Sequence, residues 1–333
     1  YGLDDVARAC ALIRAARIGE AVAVAPGVTA RFRDAGHILG SASILIEAEG
    51  RRVCFSGDVG MPGRPILRDP EPAPECDALV LESTYGDRDH PPPKETDDSL
   101  CEVLGHAARD GGAVLVPAFA VGRAQEVLYR LRTLSDENRL LFPNVYLDSP
   151  MATRVTQLFR AHPESLDDEA HRRLQETGGL FRMPELHVVE SREASQKLND
   201  DPRPKIIVAA SGMCNGGPIR HHLRHHLWRP EADVLFVGYQ AEGTLGRRIL
   251  AGARRVTIHG RAIAVNARVR ELPGLSAHAD RGGLVAWARS ARKPARVFLN
   301  HGEPPAALAL SGLLGKELGW SATVPARGES FQL

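Results

Sequence analysis

The sequence contains neither a long apolar run nor a close pair of cysteines, and each absence excludes a class of protein. No apolar stretch reaches the roughly 18 residues of a membrane helix, so we expect a soluble protein without a membrane partner. The cysteines stand at positions 10, 54, 76, 101 and 214, and none forms a C-x-x-C pair. A disulfide framework and a thiolate zinc site are therefore disfavoured, and a cytoplasmic location is expected.

Repeats and low-complexity tracts are also absent, which leaves an ordinary globular chain. Its 333 residues, 43% of them hydrophobic, are enough for two domains with separate cores. The net charge of +1 says little about a nucleic-acid partner, but residues 203–270 contain 12 Lys and Arg against three Asp and Glu. This basic stretch is either a groove for a phosphate backbone or a set of helix faces paired with acids elsewhere.

The N-terminal quarter is predicted to be rich in strands. Apolar runs typical of strands occur at 22–24, 28–32, 44–46, 53–55 and 78–81. Glu49 and Gly50 form a plausible hairpin turn between two of these strands. A helix is predicted over residues 4–16, with Asp4 or Asp5 as its cap.

From Pro91 onward the pattern alternates between strands and helices, which indicates a parallel sheet covered on both faces. Strands are predicted at 113–117, 145–147, 186–189, 205–209 and 233–237, and helices at 123–134, 219–228 and 245–250. Residues 254–270 read as a hairpin turning at Gly260, followed by helical and strand segments at 286–289, 297–299, 305–318 and near 323. The simplest layout is one domain, 1–88 with 272–333, interrupted by a second domain, 89–271.

Several polar side chains stand where predicted strands end, so that they can project into a cleft. His37 and Asp58 each follow a glycine, which permits a sharp turn. A carboxylate at the end of a buried strand needs a cation or several donors as partners. His278 and His301 are two further histidines at such junctions. A shared metal site would explain all four residues. The plainer alternative is that the histidines are ordinary loop residues whose ring nitrogens are hydrogen-bonded within the protein.

Five strings resemble motifs of a known family, and they contain His37, Asp58, Glu82, His278 and His301. The strings are GHILGSAS, FSGDVG, LVLESTYGD, SAHAD and LNHGE, in that order along the chain. They are similar to those of metallo-β-lactamase-fold nucleases with a β-CASP insertion, in the RNA-processing branch that includes the cleavage and polyadenylation specificity factor endonuclease. The resemblance implies an α/β fold: an αββα sandwich, lacking its N-terminal part, interrupted by a β-CASP domain with a mainly parallel sheet.

The same resemblance implies a zinc-dependent ribonuclease with two Zn²⁺ ions. His37 would ligate one zinc ion, His301 the other, and Asp58 would bridge the two. Bound zinc activates water and neutralises charge at phosphorus, and imidazole with carboxylate is a ligand set that suits it. The branch that acts on DNA has valine at the position of His301, so RNA is the expected substrate.

His278 and Glu82 are assigned an acid–base role by the resemblance. Protonated His278 would donate to the leaving oxygen, because an imidazole can carry a proton near pH 7. Glu82 would accept the other ring N–H of His278 and so fix its tautomer. Without the resemblance, Glu82 would be read as a helix cap or a salt-bridge partner.

The H-x-H-x-D-H motif, which supplies most metal ligands in this family, does not occur in these 333 residues. The resemblance therefore implies a chain that lacks an N-terminal segment, binds zinc poorly alone and is inactive without that segment. The run HHLRHHL at 221–227 has a different spacing. It is either a metal-binding helix face or, as we favour, an RNA contact or plain surface.

RNA contact is predicted with less support for a second group of residues: Arg123, Ser211, Gly212, Arg220, Arg247 and Arg248. Arg123 either holds the inserted domain against the catalytic one or contacts RNA. The loop at 211–217 lies between a strand and a helix, so its backbone N–H groups could receive a phosphate, or it is only a tight turn. The family usually has arginine where Pro218 stands, which weakens the phosphate reading.

The expected activity is endonucleolytic, 5′-to-3′ exonucleolytic or both, and the sequence does not choose. One alternative is a non-catalytic RNA-binding scaffold with an incomplete metal site. Another is a small-molecule metallo-hydrolase, although the long insertion with its basic stretch argues against a small substrate. A homodimer is left open.

Overall fold

The computed structural model describes residues 1–333, apart from the side chain of Pro273. The helices α1 to α10 span Leu3–Leu12, Pro93–Asp110, Arg123–Asp136, Pro150–Ala161, Asp168–Thr177, Arg192–Lys197, Ile219–His226, Leu245–Leu250, Arg281–Arg289 and Pro304–Leu318. The strands β1 to β15 span Ala21–Ala25, Val28–Asp34, Ala42–Ala48, Arg51–Phe55, Ala78–Glu82, Ala113–Pro117, Val145–Asp148, Leu186–Val188, Lys205–Ala209, Asp233–Phe236, Arg255–Ile258, Arg261–Ala264, Arg268–Glu271, Arg296–Asn300 and Ala322–Thr323. None of the helices described here combines the length and the apolarity that crossing a bilayer requires.

A seven-stranded sheet joins the two ends of the chain in the order β1-β2-β3-β4-β5-β14-β15. The first four strands are antiparallel, and β4, β5, β14 and β15 are parallel. One face buries Leu45, Leu79 and Leu299 against α9 and α10. The opposite face carries Ile44 and Phe55, and Phe55 is 40% exposed. The described residues thus contain one sheet of the predicted sandwich with its helical layer.

A six-stranded sheet, built from the middle of the chain, is parallel throughout in the order β13-β10-β6-β9-β7-β8. Its central strands β6 and β9 are buried along their whole length. Val116 and Val208 pack with α2, α3 and α4 on one face, while Leu115 and Ile207 pack with α7 and α8 on the other. The predicted mixed α/β fold, with a parallel sheet covered on both faces, is confirmed.

Two local predictions were wrong. Helix α1 ends at Leu12, and its N-cap is Gly2, whose N–H donates to the Asp5 carboxylate over 2.8 Å. The hairpin that turns at Gly260 comprises only β11 and β12, because β13 pairs in parallel with β10. The domain boundaries at 88/89 and 271/272 stay a prediction.

A buried ion cluster connects the two sheets. Glu126 of α3 pairs with Arg64, which lies between β4 and β5, and with Arg123 and Arg130 of its own helix. The guanidinium of Arg64 also donates to the carbonyl of Leu275 over 3.1 Å. Burial alone would raise the pKa of Glu126, but the three guanidinium groups outweigh it and lower the pKa to about 2.

Replacing Glu126 by Gln should destabilise the protein, because buried Arg64 and Arg123 would lose their counter-charge and Arg130 would keep only Asp97. We expect a loss of about 3–5 kcal/mol at pH 7. A lowered pKa means that the stabilisation is complete above the ordinary value of 4.5 and is lost as the pH falls toward 2. The free energies of unfolding of the wild type and of Glu126→Gln, measured with urea, should therefore converge as the pH falls from 4.5 toward 2. Exposed Glu242→Gln is the control, and a pH-independent difference for Glu126→Gln would contradict the account.

Candidate active site

Five predicted side chains meet at one edge of the seven-stranded sheet. The strands β4, β5 and β14 are parallel, so their carboxyl ends lie together. Asp58 follows β4, Glu82 ends β5, and His301 follows β14. The loop between β2 and β3 adds His37, and the segment before α9 adds His278. Residues far apart in the sequence are thereby brought into one cluster.

Asp58 lies between two imidazoles that come from opposite ends of the chain. Its Oδ1 is 3.2 Å from Nδ1 of His301, and its Oδ2 is 3.8 Å from Nε2 of His37. Each carboxylate oxygen therefore faces a different histidine. A carboxylate that bridges two cations needs this arrangement.

The donor set fits a metal that prefers nitrogen and oxygen. Burial, with the positive charge of nearby His278, lowers the pKa of His37 to about 3, so this ring is neutral at pH 7 and can ligate. Two overlapping groups have ligand atoms close enough to hold an ion: His37 with Asp58 and His278, and Glu82 with His278 and His301. Both groups include His278, which the sequence did not assign to a metal.

Glu82 and His278 form a hydrogen-bonded pair beside Asp58. Nδ1 of His278 is 3.0 Å from both carboxylate oxygens of Glu82, and the backbone N–H of Val59 donates to Glu82 over 2.7 Å. Burial raises the pKa of Glu82, but the hydrogen bond and charge of His278 lower it below its ordinary value. An ionised Glu82 accepts from Nδ1, which leaves Nε2 of His278 free to act on a ligand. No helix begins at Glu82, so it is not a helix cap.

His90 and Tyr85 support His278 and were not predicted as site residues. Nε2 of His90 lies 3.1 Å from the carbonyl oxygen of His278, and the His90 N–H donates to Asp280 over 3.0 Å. The Tyr85 ring is 4.6 Å from the His90 ring between centroids. Tyr85 belongs to the STYGD string, which was a usable signal, whereas nothing in the sequence distinguishes His90 from a loop residue.

Backbone hydrogen bonds hold the Asp58 loop against its neighbours. Gly60 donates to the carbonyl of Ala35 over 2.7 Å, and the N–H of Ala279 donates to the carbonyl of Val59 over 2.7 Å. Gly60 lies so close to the His37 loop that a Cβ atom on it would be 2.1 Å from the carbonyl oxygen of Gly36. Glycine is required there by this close approach of two backbones.

Gly60→Ala should therefore displace the loops that carry His37 and Asp58. Overpacking of this kind typically costs about 1–3 kcal/mol, and we expect weakened zinc binding in addition. The control is Gly312→Ala in α10, where an added Cβ meets none of the described atoms within 4 Å. That variant should gain about 0.5–1 kcal/mol, since alanine favours a helix. Thermal unfolding and zinc titration of both variants test this prediction. Equal stability and equal zinc affinity of Gly60→Ala and Gly312→Ala would contradict it.

The structure separates the predicted RNA contacts into buried and exposed groups. Arg123 is only 8% exposed and donates to Glu126 of its own helix over 2.7 Å, so it is not available as a surface contact for RNA. Gly212 is buried beneath the Phe119 ring, and the Ser211 hydroxyl donates to the carbonyl of Gly216 over 3.3 Å, as in a tight turn.

Arg220 is half-buried, with one guanidinium nitrogen 3.3 Å from the carbonyl of Asn215, whereas Arg247 and Arg248 are exposed on α8.

The basic stretch is partly neutralised by acids. Arg203 pairs with Asp201 over 2.7 Å, while Arg268 and Arg270 both pair with buried Asp233. Pairing with acids is therefore observed for this part of the stretch, although Arg203 precedes β9 and Arg268 and Arg270 lie on β13, so none of the three is on a helix face. Exposed arginines remain at positions 247, 248, 254, 255 and 261.

The histidines of HHLRHHL do not converge. Fully buried His222 has Nε2 at 2.7 Å from Asp148 and Nδ1 at 2.9 Å from the side-chain oxygen of Asn199. The His221 ring stacks on His259, with 4.6 Å between centroids. None of these histidines belongs to a group of potential metal ligands within the described part of the chain. A metal-binding helix face is thus disfavoured.

Comparison with known proteins identifies two matching family models. The Beta-Casp domain matches residues 124–249, and the Zn-dependent metallo-hydrolase RNA specificity domain matches residues 262–325. The second segment contains His278 and His301.

Similar proteins come from bacteria and archaea. "Ribonuclease TTHA0252" of Thermus thermophilus is 40% identical over 314 residues, which are 94% of this chain and 72% of that protein. "RNase J-like protein" of Methanocaldococcus jannaschii is 30% identical over 331 residues, covering 98% of this chain and 76% of the relative. "Transcription termination factor FttA" of Pyrococcus abyssi is 34% identical over 330 residues, but this chain spans only 50% of its length.

Proposed function

Because this chain belongs to the β-CASP family of metallo-hydrolases, we propose that it hydrolyses phosphodiester bonds of RNA at the site around Asp58. The observation that carries the proposal is the position of the Asp58 carboxylate, with one oxygen toward His301 and the other toward His37. A ribonuclease and an RNase J-like protein among the relatives support the same reaction.

Two zinc ions are the proposed cofactors: His37 would hold one, His301 would hold the other, and Asp58 would contribute to both. When bound, zinc neutralises phosphate charge and lowers the pKa of water to about 7. Imidazole nitrogens and a carboxylate suit zinc, and all five cysteines are free thiols away from this set. These thiols also support a reducing, cytoplasmic compartment. A homodimer stays a prediction.

His278 is the proposed proton donor to the leaving ribose oxygen. Glu82 accepts from the Nδ1–H of His278, so that Nε2 points to the reacting group. Tyr85 and His90 keep the backbone of His278 in place. His278 therefore acts on the substrate, whereas Glu82 acts through His278 as a positioning residue.

RNA is favoured as the substrate over DNA and over small esters. The segment with His278 and His301 matches a domain described as conferring RNA specificity. The exposed arginines of α8 and of the β11–β12 hairpin offer cations for a phosphate backbone.

The protein expressed from its complete gene should cleave labelled single-stranded RNA faster than DNA of the same sequence, and should leave a chromogenic ester intact. Comparable ester hydrolysis would contradict the proposal in favour of a small-molecule hydrolase. RNA binding without cleavage in the presence of zinc would instead identify a scaffold.

A further inference from the structure

A cavity of about 390 Å³ opens beyond the carboxyl ends of β7, β8 and β9, apart from the Asp58 site. Its lining comes from the segments that follow these three strands, with Arg192 and Arg220 among the residues, and from His259 of the β11–β12 turn. The volume is within the range of about 300–1,000 Å³ that is typical of ligand pockets. None of the residues discussed above as catalytic or metal-binding lines it.

The direction in which successive strands are added to the sheet reverses at this cavity. From β7 the chain continues through α4, which packs on one face of the sheet, to β8 at the edge. From β9 it continues through α7, on the other face, and passes β6 to reach β10. In open parallel sheets, ligands bind in the crevice outside the carboxyl ends of strands where connections diverge in this way.

The charge available in the cavity favours an anion. Asp148 at its base is already engaged, since His222 is 2.7 Å from its Oδ2 and the Ser195 hydroxyl donates to the same oxygen over 2.5 Å. Arg192 is exposed, and Arg220 is half-buried with its guanidinium bonded to a single carbonyl. Among the lining residues, exposed Glu190 is the remaining acid. Pro218 at the start of α7 has no N–H to offer, so these two guanidinium groups are the charged donors to an anion.

We propose that this cavity binds a phosphate-bearing nucleotide unit of the RNA strand, with Arg192 and Arg220 on the phosphate. The inference rests on the proposed function. The loop after β6 touches the catalytic site, since a Cβ on Gly122 would lie 2.6 Å from Ile38, next to His37. The strands β9, β7 and β8, whose carboxyl ends line the cavity, lie one to three strands from β6 in the same sheet, about 5–15 Å from it. One RNA strand can therefore occupy both places.

Equilibrium binding in EDTA tests the proposal without hydrolysis, using the protein from its complete gene and fluorescent single-stranded RNA. For single strands, each lost phosphate contact reduces the slope of log affinity against log salt by about 0.7. We expect this reduction for Arg192→Gln and for Arg220→Gln. The matched control is Arg203→Gln, an arginine already paired with Asp201, which should leave the slope unchanged.

A second variant fills the cavity without removing charge. A Cβ on Gly216 meets none of the described atoms within 4 Å, so Gly216→Leu can fold normally and occlude the site. It should weaken RNA binding severalfold with unchanged thermal unfolding.

Wild-type slopes in both arginine variants and full affinity in Gly216→Leu would overturn the proposal. A mononucleotide that stabilises the wild type but not Arg220→Gln, with unchanged RNA slopes, would assign the cavity to free nucleotides and overturn the RNA assignment. A wild-type protein that does not bind RNA would refute the proposed function itself.

Discussion

Asp58→Asn should abolish RNA cleavage and release zinc. The amide keeps one oxygen but loses the negative charge that, in the proposed site, faces both metal positions. The metal contribution to transition-state stabilisation is several kcal/mol, so we expect a loss of about 10³-fold or more in kcat/KM. The measurement combines zinc content per chain with cleavage of labelled RNA by the protein from its complete gene.

The control for this substitution is Asp200→Asn, which removes an exposed carboxylate elsewhere. It should keep full zinc content and activity. If Asp58→Asn retained its zinc and cleaved RNA within a few-fold of the wild type, the carboxylate would not be a shared ligand. His37→Ala and His301→Ala should each lose zinc, which separates a metal effect from a local distortion of the Asp58 loop.

His278→Ala should lower kcat by about 10²–10⁴-fold while zinc content stays the same, because general acid catalysis contributes an effect of this size. Glu82→Gln should have a smaller effect of about 10–100-fold, since it acts through the orientation of His278. KM should change little in both variants. Single-turnover cleavage of labelled RNA with parallel zinc analysis gives these values.

The zinc measurement distinguishes two roles of His278. This residue lies within ligand distance of two potential metal groups, so it could act as a ligand instead of a proton donor. Loss of zinc from His278→Ala would show that it is a ligand. Because Glu82 acts through His278, adding Glu82→Gln to His278→Ala should cost no further activity. Additional loss in the double variant would show that Glu82 acts independently of His278.

The local pattern of apolar residues in the sequence was sufficient to predict most of the fold. Period-two and continuous apolar runs located the strands around Asp58 and the buried strands of the parallel sheet, because burial imposes those patterns directly. The end of α1 was mispredicted since all its residues are exposed, and packing does not fix where such a helix stops. The pairing of β13 with β10 was missed because register across a crossover is a tertiary property.

Sequence motifs were sufficient to identify the site residues, but they did not reveal which residues pair with one another in the structure. Motif order placed Asp58 and His301 in one hypothesis, and the structure brings them to 3.2 Å. The pairing of Arg64 with Glu126 joins residues 62 positions apart with no local signature, so no sequence pattern could reveal it. The basic stretch was overestimated for the same reason, because Asp201 and Asp110, which neutralise two of its arginines, lie outside it.

The most direct test of the shared-carboxylate site is X-ray diffraction at the zinc absorption edge, with crystals of the protein from its complete gene grown in zinc. The account predicts two anomalous peaks flanking Asp58, one within bonding distance of His37 and the other of His301. A single peak held by Glu82, His278 and His301, with Asp58 uninvolved, would contradict it.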